Sequence, residues 1–334
     1  MNILITGGAG YIGSSLVANL LSKGHYIRVL DIGLYGFEQL IGFLNLPNFE
    51  LRVGDIRNIK VLSESLSGMD AVIHLAALVG EGVCNISPSQ TEAINYIAVC
   101  DLLKLCSQKN NFRMIFLSTC SNYGVSNINQ LADEETELNP LSLYSKTKVA
   151  AEKEILKCNS NTICTVLRLG TICGISPRMR FDLLISELAI KSVQKKKVEI
   201  YKPEAWRPFL HLKDAINSIN LVLEKPSELI KNKVFNVVKE NIKKRHLGKI
   251  VKKHYPETPI VYTTHNPDDR DYRVSAIKLE KELGYICKVS VEEAFLETTK
   301  AIENNLFRDP NWIGHSAIPT KELINLITNK KLIN

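Results

Sequence analysis

The sequence has no run of about 18 apolar residues, the length a membrane-spanning helix requires, so no helical membrane span is expected. It has no Cys-x-x-Cys pair and no Cys/His cluster at zinc-ligand spacing, which argues against a metal site. Its eight cysteines, at 84, 100, 106, 120, 158, 164, 173 and 287, are scattered. Several lie in strand-like runs such as TICTVLRL, around Cys164, and read as buried, reduced thiols. Nor is there a basic stripe interleaved with aromatics. The densest basic run, Lys195-Lys196-Lys197, reads as a solvated turn, so nucleic acid is not an expected partner. The net charge of +7 is modest and suits a substrate that carries a diphosphate. Internal repeats and low-complexity segments are lacking. The opening MNILITGG has neither a basic n-region nor a cleavable apolar stretch, which predicts a cytoplasmic protein without a signal peptide.

What is present is a chain of 334 residues, 45% of them apolar, enough for one large domain or two intimately packed ones. Short β-rich runs alternate with helical patterns through the first half. The predicted strands are Asn2–Thr6, Ile27–Asp31, Phe49–Val53, Ala71–Leu75, Met114–Ser118 and Ile163–Leu169. Most are continuous apolar runs, as expected of parallel strands covered on both faces. A first helix carries the stripe Ile12, Leu16, Leu20, Leu21, with Gly24 where a C-cap belongs. Longer helical patterns cover about 90–108 and 143–157. The alternation predicts an α/β fold, a doubly wound parallel sheet of the Rossmann kind. After about residue 172 prolines at 177, 203 and 208 break the rhythm, which predicts a smaller mixed α/β substrate domain. The expected division is 1–172 plus about 212–238 for the dinucleotide domain, where the strand KVFNVV returns to the first sheet. About 173–211 and 239–305 form the substrate domain, and 306–334 a tail holding Trp312.

The first strand runs into Gly7-Gly8-Ala9-Gly10-Tyr11-Ile12-Gly13 and then a helix. Gly7 permits the tight turn, Gly10 admits a pyrophosphate to the backbone, and Gly13 lets helix and strand pack closely. The helix N-terminus then offers free N–H groups and its positive dipole end to the phosphates. Asp31 ends the second strand 18 residues past Gly13. A carboxylate there accepts hydrogen bonds from the adenosine ribose hydroxyls and repels a 2′-phosphate, which favours NAD over NADP. Asp55 and Ile56, after the third strand, are placed to flank the adenine. Leu75, Ala76 and Ala77, after the fourth, leave room for a nucleotide, and His74 before them reads as structural.

Tyr144-Ser145-Lys146-Thr147-Lys148 puts Tyr144 and Lys148 on one face at the start of a helix. Tyr144 can serve as general base for a sugar hydroxyl if its pKa falls well below about 10, and a nearby ammonium and a positive nicotinamide both favour the phenolate. The fifth strand ends in Phe116-Leu117-Ser118-Thr119-Cys120-Ser121-Asn122-Tyr123-Gly124, where Thr119 can orient the reacting oxygen.

Over roughly residues 1–305 the chain resembles the extended short-chain dehydrogenase/reductases, in the NAD-dependent epimerase/dehydratase group that acts on nucleotide sugars. The motifs GGAGYIG, HLAA, STCSNYG and YSKTK occur in that family's order and spacing. The resemblance implies NAD as cofactor, Thr119 as the catalytic Ser/Thr, Tyr144 as base, and Lys148 on the nicotinamide ribose. Asn95, opening NYIAVCDLL, matches the family's structural asparagine and is counted with the cofactor site. The 4,6-dehydratases of the family carry Asp-Glu after the Thr; here Cys120-Ser121 stand there, which argues against water elimination. Both are expected to face the sugar, as is Val79 in the loop 79–84. That loop lacks the lysine that UDP-galactose 4-epimerases place near Val79.

Segments ISPRMR, WRPFLH and DDRDYR each offer arginines suited to bidentate pairing with phosphate oxygens. By resemblance, Arg207 and Arg270 are expected to bind the substrate nucleotide, followed by Arg178 and Arg180, with Arg273 the rival of Arg270. ISPRMRFDLL and DRDYRVS also resemble a narrower subgroup that includes GDP-heptose 4-dehydrogenases. The expected chemistry is oxidation at sugar C4, as an epimerase first, a dehydrogenase or ketoreductase second. A non-catalytic NAD-binding protein is the alternative of another class, disfavoured because Thr119, Tyr144 and Lys148 are all present. The resemblance also implies a homodimer made by pairing the helices at 90–108 and 143–157.

Overall fold

The structure, a computed structural model, describes residues 1–125, 131–264 and 269–307. Asp268 and Trp312, and most of the tail, lie outside the described residues.

The strands are β1 (Asn2–Thr6), β2 (Tyr26–Asp31), β3 (Phe49–Val53), β4 (Ala71–His74), β5 (Arg113–Thr119), β6 (Ile163–Leu169), β7 (Thr171–Cys173), β8 (Val198–Tyr201), β9 (Trp206–His211), β10 (Lys233–Val237), β11 (Glu240–Lys243) and β12 (Ile260–Thr263). Seven of them form one sheet in the order β10-β6-β5-β4-β1-β2-β3, and every pairing in it is parallel. Its central strands are buried on both faces, which is why they read as unbroken apolar runs. The KVFNVV run supplies β10, which pairs with β6 from Lys233↔Thr165 to Val237↔Leu169.

Strand order reverses between β1 and β4, so their carboxyl ends open the crevice where ligands of doubly wound sheets bind. Packing makes that crevice possible. Gly7, at φ +74°, stands against the chain leaving β4, and a Cβ there would fall 2.6 Å from the Ala76 nitrogen. At Gly13 a Cβ would fall 2.4 Å from the Gly7 carbonyl oxygen. Only glycine lets the Tyr11–Ser22 helix start this close to the strand.

Beyond Leu169, β11, β9 and β7 form a three-stranded sheet, and β12 pairs with β8. These strands have three to six residues, too short for an alternating pattern to stand out in sequence.

The expected helix over 90–108 is interrupted. Helices Pro88–Glu92 and Ala98–Ser107 are joined by a widened π-helical turn, Ala93–Ile97. Asn95 is buried inside that turn. Its side-chain oxygen accepts from the Leu78 N–H (2.8 Å) and its amide donates to the Leu78 carbonyl (2.9 Å). The turn widens where Asn95 clamps the chain leaving β4, a local irregularity of the kind that accompanies functional sites. No helix among the described residues is long and apolar enough to cross a membrane.

Candidate active site

One cavity of about 660 Å³ follows the carboxyl ends of β1, β2, β4 and β5 and continues to β8 and β9. The glycine turn forms its floor, with Gly7, Gly10, Tyr11, Ile12 and Gly13 on the wall. Asp31, Asp55, Ile56, Leu75, Ala76, Ala77 and Val79 line it as well. The Asp31 carboxylate accepts from the Ala9 and Gly33 N–H groups, each at 2.9 Å. One backbone donor on each oxygen holds the group in place and leaves lone pairs for ribose hydroxyls. Burial raises its pKa, opposed by those N–H groups and by Arg178. Asp55 is held by Arg57, whose backbone N–H and guanidinium both donate to it, so it acts as a fixed wall. His74 is structural, its Nδ1 2.8 Å from the Thr6 hydroxyl and its basicity pulled down by burial to about 3.

Thr119, Tyr144 and Lys148 meet on the same wall. Thr119 ends β5, while Tyr144 and Lys148 occupy the first turns of the Leu143–Leu156 helix. Ser142 caps that helix in a reciprocal box with Ser145, fixing where it begins. Lys148 is buried and donates to the Leu117 carbonyl at 2.8 Å, its ammonium 4.4 Å from the Phe116 ring centroid. Burial lowers its pKa to about 8, opposed by Glu152 one turn further on. Tyr144 departs from the sequence expectation. Burial, followed by Cys84, raises its phenol well above the ordinary range, opposed by the charges of Arg180 and Arg270. The Lys148 ammonium is turned to the β5 backbone.

Ser121 joins Thr119 to Arg270. The Thr119 hydroxyl donates to the Ser121 hydroxyl (3.0 Å), which also accepts from Arg270 Nη1 (3.2 Å). Arg207 is buried on β9, donating to the Trp206 carbonyl (2.9 Å) and to the Arg270 carbonyl. Both arginines face the cavity, whereas Arg273 stacks 5.1 Å from Trp206 and is not on its wall. Arg180 faces the cavity paired with Asp182, which offsets its charge.

Two expectations need correction. Cys120 is fully buried in a core cluster with Tyr123, Tyr272 and Val274 and donates to the Arg168 carbonyl. A residue following a β5 end that turns under alternates away from the cavity, so Cys120 does not face a sugar. Asn95 is not on the cavity wall; it acts through Leu78, as described above. Arg178 lines the cavity, its guanidinium 3.8 Å from the centroid of the Tyr35 ring. Sequence reading also missed Leu34, Tyr35, Glu199, Tyr201 and Lys244, all of which line the cavity. Tyr35, four residues past Asp31 in an irregular loop, carries no periodic signal.

The family model for the "NAD dependent epimerase/dehydratase family" matches residues 3–237. The chain belongs to this family. Its cofactor is NAD, and the wall fits one: the cradle at Gly7 and Gly13 excludes any side chain, and Asp31 stands fixed at the end of β2. Among relatives, an uncharacterized UDP-glucose epimerase of Bacillus subtilis is 30% identical over 246 residues, 68% of this chain and 73% of that protein. A UDP-glucose 4-epimerase of Cyamopsis tetragonoloba is 32% identical over 161 residues, 45% of each chain. Among solved structures, the UDP-glucose 4-epimerase of Thermotoga maritima with UDP-glucose has a TM-score of 0.80 at 25% identity, covering 92% of this chain and all of that one. The UDP-glucuronic acid 4-epimerase of Bacillus cereus, at 24% identity and TM-score 0.82 over 92% of this chain and all of that one, shares the fold. The chain is therefore an extended short-chain dehydrogenase/reductase of the nucleotide-sugar-modifying family.

Proposed function

We propose that this family member is a nucleotide-sugar 4-epimerase, oxidising the C4 hydroxyl of a nucleotide-diphosphate sugar and reducing it again on the other face. The observation that carries this reading is the Thr119–Ser121–Arg270 chain of contacts, which joins the reacting end of the cavity to the arginine end without any carboxylic acid between them. Elimination of water needs such an acid. The two positions after Thr119 hold a serine committed to Thr119 and a thiol buried in the core, its pKa raised by desolvation. The UDP-glucose 4-epimerases among the relatives point the same way.

NAD, when bound, supplies the hydride acceptor and a positively charged ring, whose charge would oppose the burial that raises the Tyr144 phenol. Tyr144 takes the proton of the sugar hydroxyl on its phenolic oxygen, and Thr119 holds the same sugar oxygen by a hydrogen bond. Lys148 holds the nicotinamide ribose. Arg207, buried and fixed by the Trp206 and Arg270 carbonyls, and Arg270, half-buried and donating to Ser121, hold the substrate diphosphate, so little entropy is lost when they bind. Val79 and Ser121 border the sugar.

A second reading, a 4-dehydrogenase related to those acting on GDP-heptose, is favoured by the ISPRMRFDLL and DRDYRVS segments. The same site serves it if the keto sugar leaves. The reading includes a homodimer through the paired helices, in which Ile97, half exposed on the π-helical turn, faces the partner. The experiment is incubation of protein and NAD with GDP-, UDP-, dTDP- and CDP-sugars, including a heptose. NMR follows the sugar while absorbance follows NADH.

A further inference from the structure

The segment after β7 is fastened to the start of the dinucleotide helix. Tyr11 donates from its hydroxyl to the Gly174 carbonyl at 2.5 Å. Ser176 is buried, donates to the Tyr11 carbonyl at 2.6 Å and lies 3.1 Å from the Ser14 hydroxyl. The Arg178 N–H donates to Ser176 at 3.3 Å. From this anchored base the Arg178 guanidinium reaches the ring of Tyr35, 3.8 Å from its centroid, on the loop that follows Asp31. Both side chains line the cavity together with Gly10, Asp31 and Gly36. Arg178 is 5% exposed. A stacked guanidinium in so dry a place gains more than one at the surface. Its charge is also felt by Asp31, whose carboxylate it stabilises.

We propose that Tyr35 and Arg178 form a clasp across the dinucleotide end of the cavity, so that Arg178 serves NAD and sets how fast NAD leaves, and does not serve the substrate diphosphate. The loop after β7 and the loop after β2 meet through this pair of side chains in the clasp. One is tied to the helix whose N-terminus receives the pyrophosphate; the other follows the strand whose end receives the ribose. A dinucleotide between them can leave only when the stack opens. Positive charge from Arg178 adds to that of the helix N-terminus. An enzyme that re-reduces its own intermediate benefits from a retained cofactor, so the clasp fits the epimerase reading, although it rests only on the cofactor.

The test loads purified protein with NAD, chases with excess etheno-NAD, and follows exchange by fluorescence. UDP and GDP binding are measured by calorimetry on the same samples. Arg178→Ala and Tyr35→Ala are expected to speed NAD release by roughly thirtyfold, as loss of a desolvated cation–π contact implies. Tyr35→Phe, which keeps the ring, is expected to stay within about threefold of the parent rate, and UDP and GDP affinities to stay unchanged. Unchanged NAD release in Arg178→Ala with weakened UDP or GDP binding overturns the proposal and returns Arg178 to the substrate. If Arg178→Ala does not fold, Tyr35→Ala decides, and an unchanged rate there overturns the clasp. Failure of the parent protein to bind NAD refutes the cofactor assignment itself, a separate outcome.

Discussion

The phenol of Tyr144 and the ammonium of Lys148 both feel burial, and it moves them in opposite directions: the phenol gains basicity and the amine loses it. Replacing Tyr144 with Phe removes the base without removing cavity wall. Turnover is expected to fall by 10²-fold or more while NAD affinity, read by fluorescence titration, stays within about twofold. Lys148 yields a pH prediction. Its charged form is present below about 8 and is lost as pH rises through that value. NAD affinity that uses the ammonium is therefore expected to weaken progressively above pH 8, and Lys148→Arg to remove the midpoint; equal affinity at pH 7 and pH 9.5 contradicts this role. That Thr119, Tyr144 and Lys148 meet on one cavity wall was legible because motif and strand–helix context coincide. The direction of the Tyr144 shift was not, because it is set first by burial of the phenol, which depends on how distant segments close over it. Cys120 failed for a similar reason: the turn after β5 decides which side chains face inward.

At the scale of elements, the Leu143–Leu156 helix must be held against β5 and β6 for Tyr144 and Lys148 to meet Thr119. A buried network does this. Glu152 pairs with Arg168 of β6 at 2.8 Å, their side chains 1% and 5% exposed, and also accepts from Ser118 and from Asn122. Arg168 in turn donates to the Tyr123 hydroxyl at 2.9 Å. Removing one partner leaves the other charge buried, so Glu152→Ala is expected to lower unfolding free energy by about 3–5 kcal/mol. Denaturant unfolding measures this, and a loss under about 1 kcal/mol contradicts it. The central strands β1, β4, β5 and β6 were readable because burial on both faces writes itself as continuous apolar runs. The short strands β7, β8, β9, β11 and β12 were not, since pairing between distant segments, antiparallel for β11 with β9 and parallel for β12 with β8 and β7 with β9, fixes them more than their own composition does. The π-helical turn at Ala93–Ile97 escaped for want of any local breaker; a tertiary clamp on Leu78 produces it.

At the scale of the molecule, the cavity runs from the glycine turn to the paired arginines as one continuous space. Leu102 of the expected pairing face is fully buried within the chain, whereas Ile97 is 50% exposed. If the helices pair between two copies, Ile97→Asp is expected to convert a dimer to a monomer in light scattering; a parent protein that is already monomeric contradicts the pairing. The central claim is oxidation and re-reduction at C4 inside a single cavity. Incubation with NAD and the panel of nucleotide sugars, followed by NMR and NADH absorbance, tests it most directly. The account predicts a C4 epimer appearing without net NADH. A keto sugar accumulating with an equal amount of NADH contradicts epimerisation and favours the dehydrogenase; a C6-deoxy product contradicts the exclusion of elimination drawn from Cys120 and Ser121.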